Sequence, residues 1–108
     1  MESSSFTTTS RPTFVQHDNA AMDNVGFQDN PKQMAMLEKG ERLLYADNVK
    51  KWSGNSFFGD SRTLVVTTEN IYNFKKEKAQ RRIPFELLTG ISLSMQGTKN
   101  EFVIHVKN

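Results

Sequence analysis

At 108 residues, 36% of them apolar, the chain is long enough for one small domain and no more. The lack of cysteine excludes a disulfide framework and a thiolate metal site. No run approaches the ~18 apolar residues of a membrane span, and MESSSFTTTS is neither a secretory signal nor a myristoylation site, so a cytoplasmic protein is expected. The net charge of +2 is uneven: residues 1–40 carry three Lys/Arg against five Asp/Glu, residues 41–84 nine against five, and 85–108 two against two, so an anionic partner is expected to meet the middle third.

Residues 1–30 are rich in Ser, Thr, Asn and Asp, with Phe6, Phe14, Val15, Val25 and Phe27 at no period. This composition predicts a tail that is flexible alone or bound along a partner, with the folded domain occupying residues 31–108. Asn30 as N-cap, Pro31 at the first helical position and Gly40 as terminator predict a short helix that lays Met34 and Leu37 on a sheet. From residue 41 the period becomes two. RLLYADNV places Leu43, Tyr45 and Val49 on one face, and TLVVTT and NIYNFK follow as strands. KEKAQ is a hairpin tip, RRIPF resumes the extended pattern, and PFELL fits one helical turn ended by Thr89-Gly90. ISLSM points Ile91, Leu93 and Met95 one way, and EFVIHV points Phe102, Ile104 and Val106 inward. The class is all-β with short helical segments: about six strands in a curled sheet or barrel.

No catalytic or metal constellation is present. His17 lies in the tail and His105 on an outward strand position, without metal-ligand spacing. GxSxG, GxxxxGK[ST] and HExxH are absent, and the glycines fall at turns. No cofactor and no enzyme activity are expected.

The basic residues carry the remaining chemistry. In a meander, alternate hairpin loops emerge at one end of the sheet, so the first loop (about 52–61) and the third (about 76–80) share a rim. That rim gathers Lys50, Lys51, Arg62, Lys75, Lys76, Lys78, Arg81 and Arg82. Lys51 and Arg62 are expected to face each other across the base of the first loop, as a pocket for a phosphorylated headgroup. The bland alternative is a solubilising, charged sheet edge. Trp52, Phe57 and Phe58 in the first loop are either a small core over the barrel end or membrane-inserting residues at the headgroup boundary. Trp52, next to a strand, suits the core, and the two phenylalanines suit insertion. Each Lys or Arg near an anionic surface contributes ~1 kcal/mol, so four or five give only about millimolar affinity. Headgroup contacts or buried aromatics must supply the rest.

The stretch GERLLYADNVKKWSG…SRTLVVTTENIYNFKKEKAQRRIPFELLTGISLS resembles the tail homology domain of class I myosins, over roughly residues 32–108. The matching strings are GE-x-LLYAD, SR at the start of the second strand, LVVTTENIY, and RRIPFELLTGISLS. The resemblance implies a pleckstrin-homology-like fold of seven strands in two orthogonal sheets, closed by a C-terminal helix. It also implies binding of anionic phospholipids, including phosphoinositides, through basic residues that correspond to Lys51 and Arg62, in an actin-linked, membrane-peripheral setting. The sequence departs from that pattern in two respects. No motor or calmodulin-binding segment precedes the domain, and the chain ends after the sixth strand, without the seventh strand and the capping helix. A fragment, or a module completed by a partner or by its own N-terminal segment, is therefore expected.

Two functions fit: a membrane-docking lipid binder, or a structural interaction module of a cytoskeletal assembly whose tail lies along a protein partner. Nucleic-acid binding is disfavoured, because the aromatics cluster on one loop and cannot stack successive bases.

Overall fold

The computed structural model describes residues 2–8, 21–52, 59–96 and 99–107. Four consecutive antiparallel strands run as the alternation predicts: β3 (Leu43–Trp52), β4 (Asp60–Thr67), β5 (Asn70–Lys75) and β6 (Lys78–Pro84). A 3-10 turn, Phe85–Leu87, leads into the hairpin of β7 (Leu88–Gln96) and β8 (Lys99–Val106). Thr89 and Gly90, expected to end that turn, lie inside β7, with a register shift between Leu88 and Gly90.

The N-terminal segments take a different place from the one their composition predicts. β1 (Glu2–Thr8) lies between β3 and β8, antiparallel to both, and β2 (Met22–Asp23) pairs in parallel with Tyr45 and Ala46 of β3. The strand order is thus β6-β5-β4-β3-β1-β8-β7. Residues 2–8 join the sheet instead of lying along a partner, because Phe6 fills its centre: 2% exposed, it stacks on Phe102 with ring centroids 5.3 Å apart. Residues 9–20, with Phe14, Val15 and His17, lie outside the described residues.

The connectivity forces curvature. β6 and β7 stand at opposite ends of the strand order, yet only three residues join them. The sheet therefore curls until its edges approach, and Ile83 of β6 shares one cluster with Phe6, Val49, Leu64, Ile71, Ile104 and Val106, with Leu88 of β7 against it. This is the inner face. The outer face carries Leu43, Ala46, Val65, Tyr72 and Phe74, covered by Phe27 with Val25, Met34 and Leu37. Phe27 is fully buried, and its ring meets Phe74 edge-on at 5.2 Å. Asp23 shapes this cover: its carboxylate accepts from the backbone amides of Phe27 and Gln28, both at 2.8 Å. The expected single face for Leu43, Tyr45 and Val49 is broken by a register shift between Leu43 and Tyr45, which sends Leu43 to the outer cluster and leaves Tyr45 and Val49 on the inner one.

The predicted helix is one turn, α1 (Pro31–Met34), capped by the Asn30 side chain, which accepts from the amides of Lys32 and Gln33. Past it, Gly40 takes φ 90° and turns the chain toward β3. At this end of the sheet Glu41 ties the β4–β5 connection together. Its carboxylate accepts from Thr67 Oγ1, Asn70 Nδ2, Tyr72 OH and the Glu38 amide, each at 2.5 Å. Burial pushes its carboxyl pKa up, but hydrogen bonds from Thr67, Tyr72, Asn70 and the Glu38 amide outweigh this and hold it below the ordinary value. The Tyr72 hydroxyl is raised to about 12, by burial first and by the Glu41 carboxylate second.

Ile91 and Leu93 fall directly opposite Ile104 and Phe102, so they point to the inner face as the alternation predicts. At this edge that face is open: Leu93 is 77% exposed and Ile91 50%. His105 points outward and is half-buried, its Nε2 2.8 Å from Ser92 Oγ.

Candidate functional site

The loop ends where alternate hairpins were expected to meet do come together. The start of β4 and the end of β5 border an open depression of ≈ 490 Å³, lined by Asn48, Thr63, Gly59, Asp60, Ser61, Arg62, Lys75 and Lys76. Alternation sets who points where. Asp60 and Arg62 sit two apart on one strand and so share a face, and Lys75, at the end of β5, reaches toward the same carboxylate. Arg62 Nη2 lies 2.7 Å from Asp60 Oδ2, and Lys75 Nζ lies 3.3 Å from the same oxygen. Arg62 Nη1 also donates to Asn73 Oδ1 at 3.4 Å.

The charges balance toward the positive. The hydrogen bond from Arg62, then that from Lys75, hold the Asp60 carboxyl below the usual carboxylate range, so it stays ionised. One carboxylate between two cations leaves one net positive charge, and Lys76 adds a second at the turn. The Arg62 side chain is 13% exposed and that of Lys75 47%, so lysine is the more accessible donor and arginine the better-anchored one. An anion entering here competes with Asp60 for Arg62 while meeting Lys75 directly. Asp60 was not among the expected site residues; its sequence signal is the i, i+2 spacing to Arg62 on a strand.

The register corrects one expectation. Lys51 stands opposite Asp60, and Arg62 opposite Val49, so Lys51 and Arg62 do not face each other. β4 starts at Asp60, ahead of Arg62, which moves the pairing by two residues. Lys51 and Arg62 still share the inner face, at diagonal positions, with Lys51 half-buried and also paired with Phe6 of β1.

The other basic residues divide. Lys50 is exposed on the outer face, opposite Ser61 and Thr7. Lys76 and Lys78 are exposed at the β5–β6 turn; Lys76 has φ 57°, and its carbonyl accepts from Gln33 Nε2 at 3.1 Å. Arg81 is half-buried opposite Asn73. Arg82 is four residues, roughly 13 Å, along β6 from Lys78, on the outer face opposite Tyr72. It is paired with Glu38 in a second depression lined by Glu69, Asn70, Pro84, Phe85 and Glu86. Arg82 therefore leaves the rim, because the strand carries it to the Glu41 end of the sheet.

Of the loop aromatics, Trp52 is half-buried on the outer face, and its indole N–H donates to Thr7 Oγ1 at 3.0 Å. Gly59, at φ 70°, lies against its ring: a Cβ there would sit 3.2 Å from Trp52 Cε2. Phe57 and Phe58 lie outside the described residues. Among the described residues, no cluster of His, Cys, Asp or Glu forms a metal-holding group, and no helix is long and apolar enough to cross a membrane.

Comparison with known proteins agrees with the family that the motifs point to. A family model described as "Unconventional myosin tail, actin- and lipid-binding" matches residues 19–108. Unconventional myosin-Ic of Aquarana catesbeiana is 36% identical over 78 residues, 72% of this chain and 7% of that protein. Unconventional myosin-Ic-A of Xenopus laevis is 35% identical over 78 residues, with the same shares covered. The chain thus spans about 7% of the length of these relatives. No solved structure matches it. With the family model covering most of the chain, including strands β2–β8 and the basic rim, the chain belongs to the unconventional myosin tail family, which is described as actin- and lipid-binding.

Proposed function

We propose that the chain is a non-catalytic docking module whose basic rim binds the phosphate headgroups of anionic phospholipids, phosphoinositides among them. The observation that carries this reading is the convergence of Arg62, Lys75 and Lys76 on one open depression beside the first loop, in a family described as lipid-binding. Arg62, oriented by Asp60 and Asn73, offers its planar fork to a phosphate that displaces the Asp60 carboxylate, and Lys75 supplies a movable point charge. Lys50, Lys51, Lys76 and Lys78 add field at the surface. At ~1 kcal/mol each, with Asp60 opposing, the charges support roughly millimolar binding. Phe57 and Phe58, inserted at the headgroup boundary, would add the apolar share. Trp52, anchored on Thr7 and Gly59, acts as the base of the loop.

The test is co-sedimentation with vesicles of neutral lipid, of phosphatidylserine, and of phosphatidylserine with a phosphoinositide. Binding that rises along this series and falls in Lys51→Ala/Arg62→Ala supports the reading. A folded chain that sediments with none of the three overturns it.

A second reading, a protein-interaction module of an actin-linked assembly, is favoured by a different observation. Ile91 and Leu93 lie open on β7, at an edge of the sheet. Co-sedimentation with actin filaments tests it, with Leu93→Ser expected to weaken binding while vesicle binding is unchanged.

A further inference from the structure

β1 is held by the sheet but stands outside the family match, which begins at residue 19. Both walls of its slot, β3 and β8, lie within the match. Lys50–Trp52 pair with Ser5–Thr7 on one side, and Asn100–Val106 pair with Glu2–Thr8 on the other. The slot is therefore a strand-acceptor site: two ladders, both satisfied by β1, and an aromatic floor, where Phe6 meets Phe102. The donor segment, ESSSFTT, is polar except for that one phenylalanine. Removing it would leave two unpaired edges in mid-sheet, a strong template for another strand.

The donor is joined to the acceptor through residues 9–20 alone. The thirteen Cα steps from Thr8 to Ala21 reach at most roughly 45 Å in any conformation, more than the 35 Å longest dimension of the described molecule. A tether of that length can deliver the strand to a neighbouring molecule as well as to its own slot.

We propose that the β3–β8 slot accepts the N-terminal strand of a second copy of this chain, giving a reciprocal strand-exchanged dimer. The intramolecular form prevails in dilute solution, since two segments of one chain joined by a short connection meet at an effective concentration of about 1 mM. Exchange is expected when chains refold together near that concentration. It does not depend on the lipid reading.

The chain has no cysteine, so a disulfide trap reports without background. Ser5 stands directly opposite Val103, both half-buried, at a separation that an antiparallel pair shares with a disulfide. A Ser5→Cys chain is refolded and oxidised together with a Val103→Cys chain, and separately with an Ile91→Cys chain. Ile91 is 50% exposed, so random collision favours it over Val103. The Ser5→Cys/Val103→Cys double variant, kept dilute, controls for the intramolecular strand. The expected result is a Ser5–Val103 linked dimer formed ~100-fold more readily than the Ser5–Ile91 one, the low end of an effective-concentration gain, with the dilute double variant closing within one chain. Equal yields of the two dimers, no dimer while the double variant closes, or a double variant that fails to close would each overturn the proposal.

Discussion

Replacing Glu41 by alanine removes the acceptor shared by four donors, three of them on residues that are almost wholly buried: Thr67 at 0% exposed, Tyr72 at 1% and Asn70 at 2%. Hydrogen bonds to a charged group contribute about 1.5–3 kcal/mol each, and an unsatisfied buried donor costs about 1–3 kcal/mol. These figures do not add, because Glu41 is half-exposed and water would reach part of the space that it leaves. About 3 kcal/mol is therefore expected, a large part of the ~5–10 kcal/mol that holds a small domain. With a urea m-value near 1.5 kcal/mol/M, the midpoint falls by roughly 2 M. The sign with pH follows from linkage. A carboxyl whose folded pKa is depressed contributes stability fully above its unfolded value, near 4.5, and loses it as pH falls through the folded pKa. Urea denaturation of wild type and Glu41→Ala at pH 7, 5 and 3 should show a gap that is constant from 7 to 5 and narrows toward 3. A gap under about 1 kcal/mol at pH 7, or one unchanged at pH 3, would refute the carboxylate as the tie.

Three further substitutions probe the rim and the loop base. Gly59→Ala forces an L-residue at φ 70° against Lys50 Cβ and the Trp52 ring; a loss of about 1–3 kcal/mol should come with a shifted emission from Trp52, the only tryptophan. Lys76→Gly relieves a lysine at φ 57° and should raise stability by about 0.5 kcal/mol, after the entropy gained by the unfolded chain, while weakening vesicle binding; a lower melting temperature would contradict it. Asp60→Asn frees Arg62 and Lys75 from their carboxylate and should tighten binding to phosphatidylserine vesicles about fivefold, with the urea midpoint little changed, as for a solvent-exposed ion pair. Unchanged or weaker binding would place the headgroup elsewhere.

What could be read from the residues followed their periodicity. The β3–β6 meander, the β7–β8 hairpin, the Asn30 cap and the gathering of the first and third hairpin ends rest on local rules, and they appear where those rules put them. β1 could not be read this way. Its strand buries Phe6, but the flanking residues are serine and threonine, so no alternation marks it, and its partners lie more than 40 and more than 90 residues away. The register shift at Leu43 and Tyr45 is hidden for a related reason: both residues are apolar, and only the tertiary packing decides which face each takes. In the rim, basic residues were visible as a run, but the strand geometry sorts them, keeping Lys75 and Lys76 at the depression and carrying Arg82 to Glu38. Asp60, whose carboxylate engages both Arg62 and Lys75, needed the structure.

On the proposed reading, position and not total charge makes the rim a docking surface. Two double variants that each remove two positive charges separate position from charge. Lys75→Ala/Lys76→Ala removes them from the depression. Lys39→Ala/Arg42→Ala removes exposed ones at the far end of β3, whose ten residues span roughly 30 Å. Sedimentation with phosphatidylserine–phosphoinositide vesicles at physiological salt should be lost in the first, by about tenfold or more for two surface charges, and retained in the second. Equal loss in both, or loss only in the second, would show that the rim is not where the membrane binds.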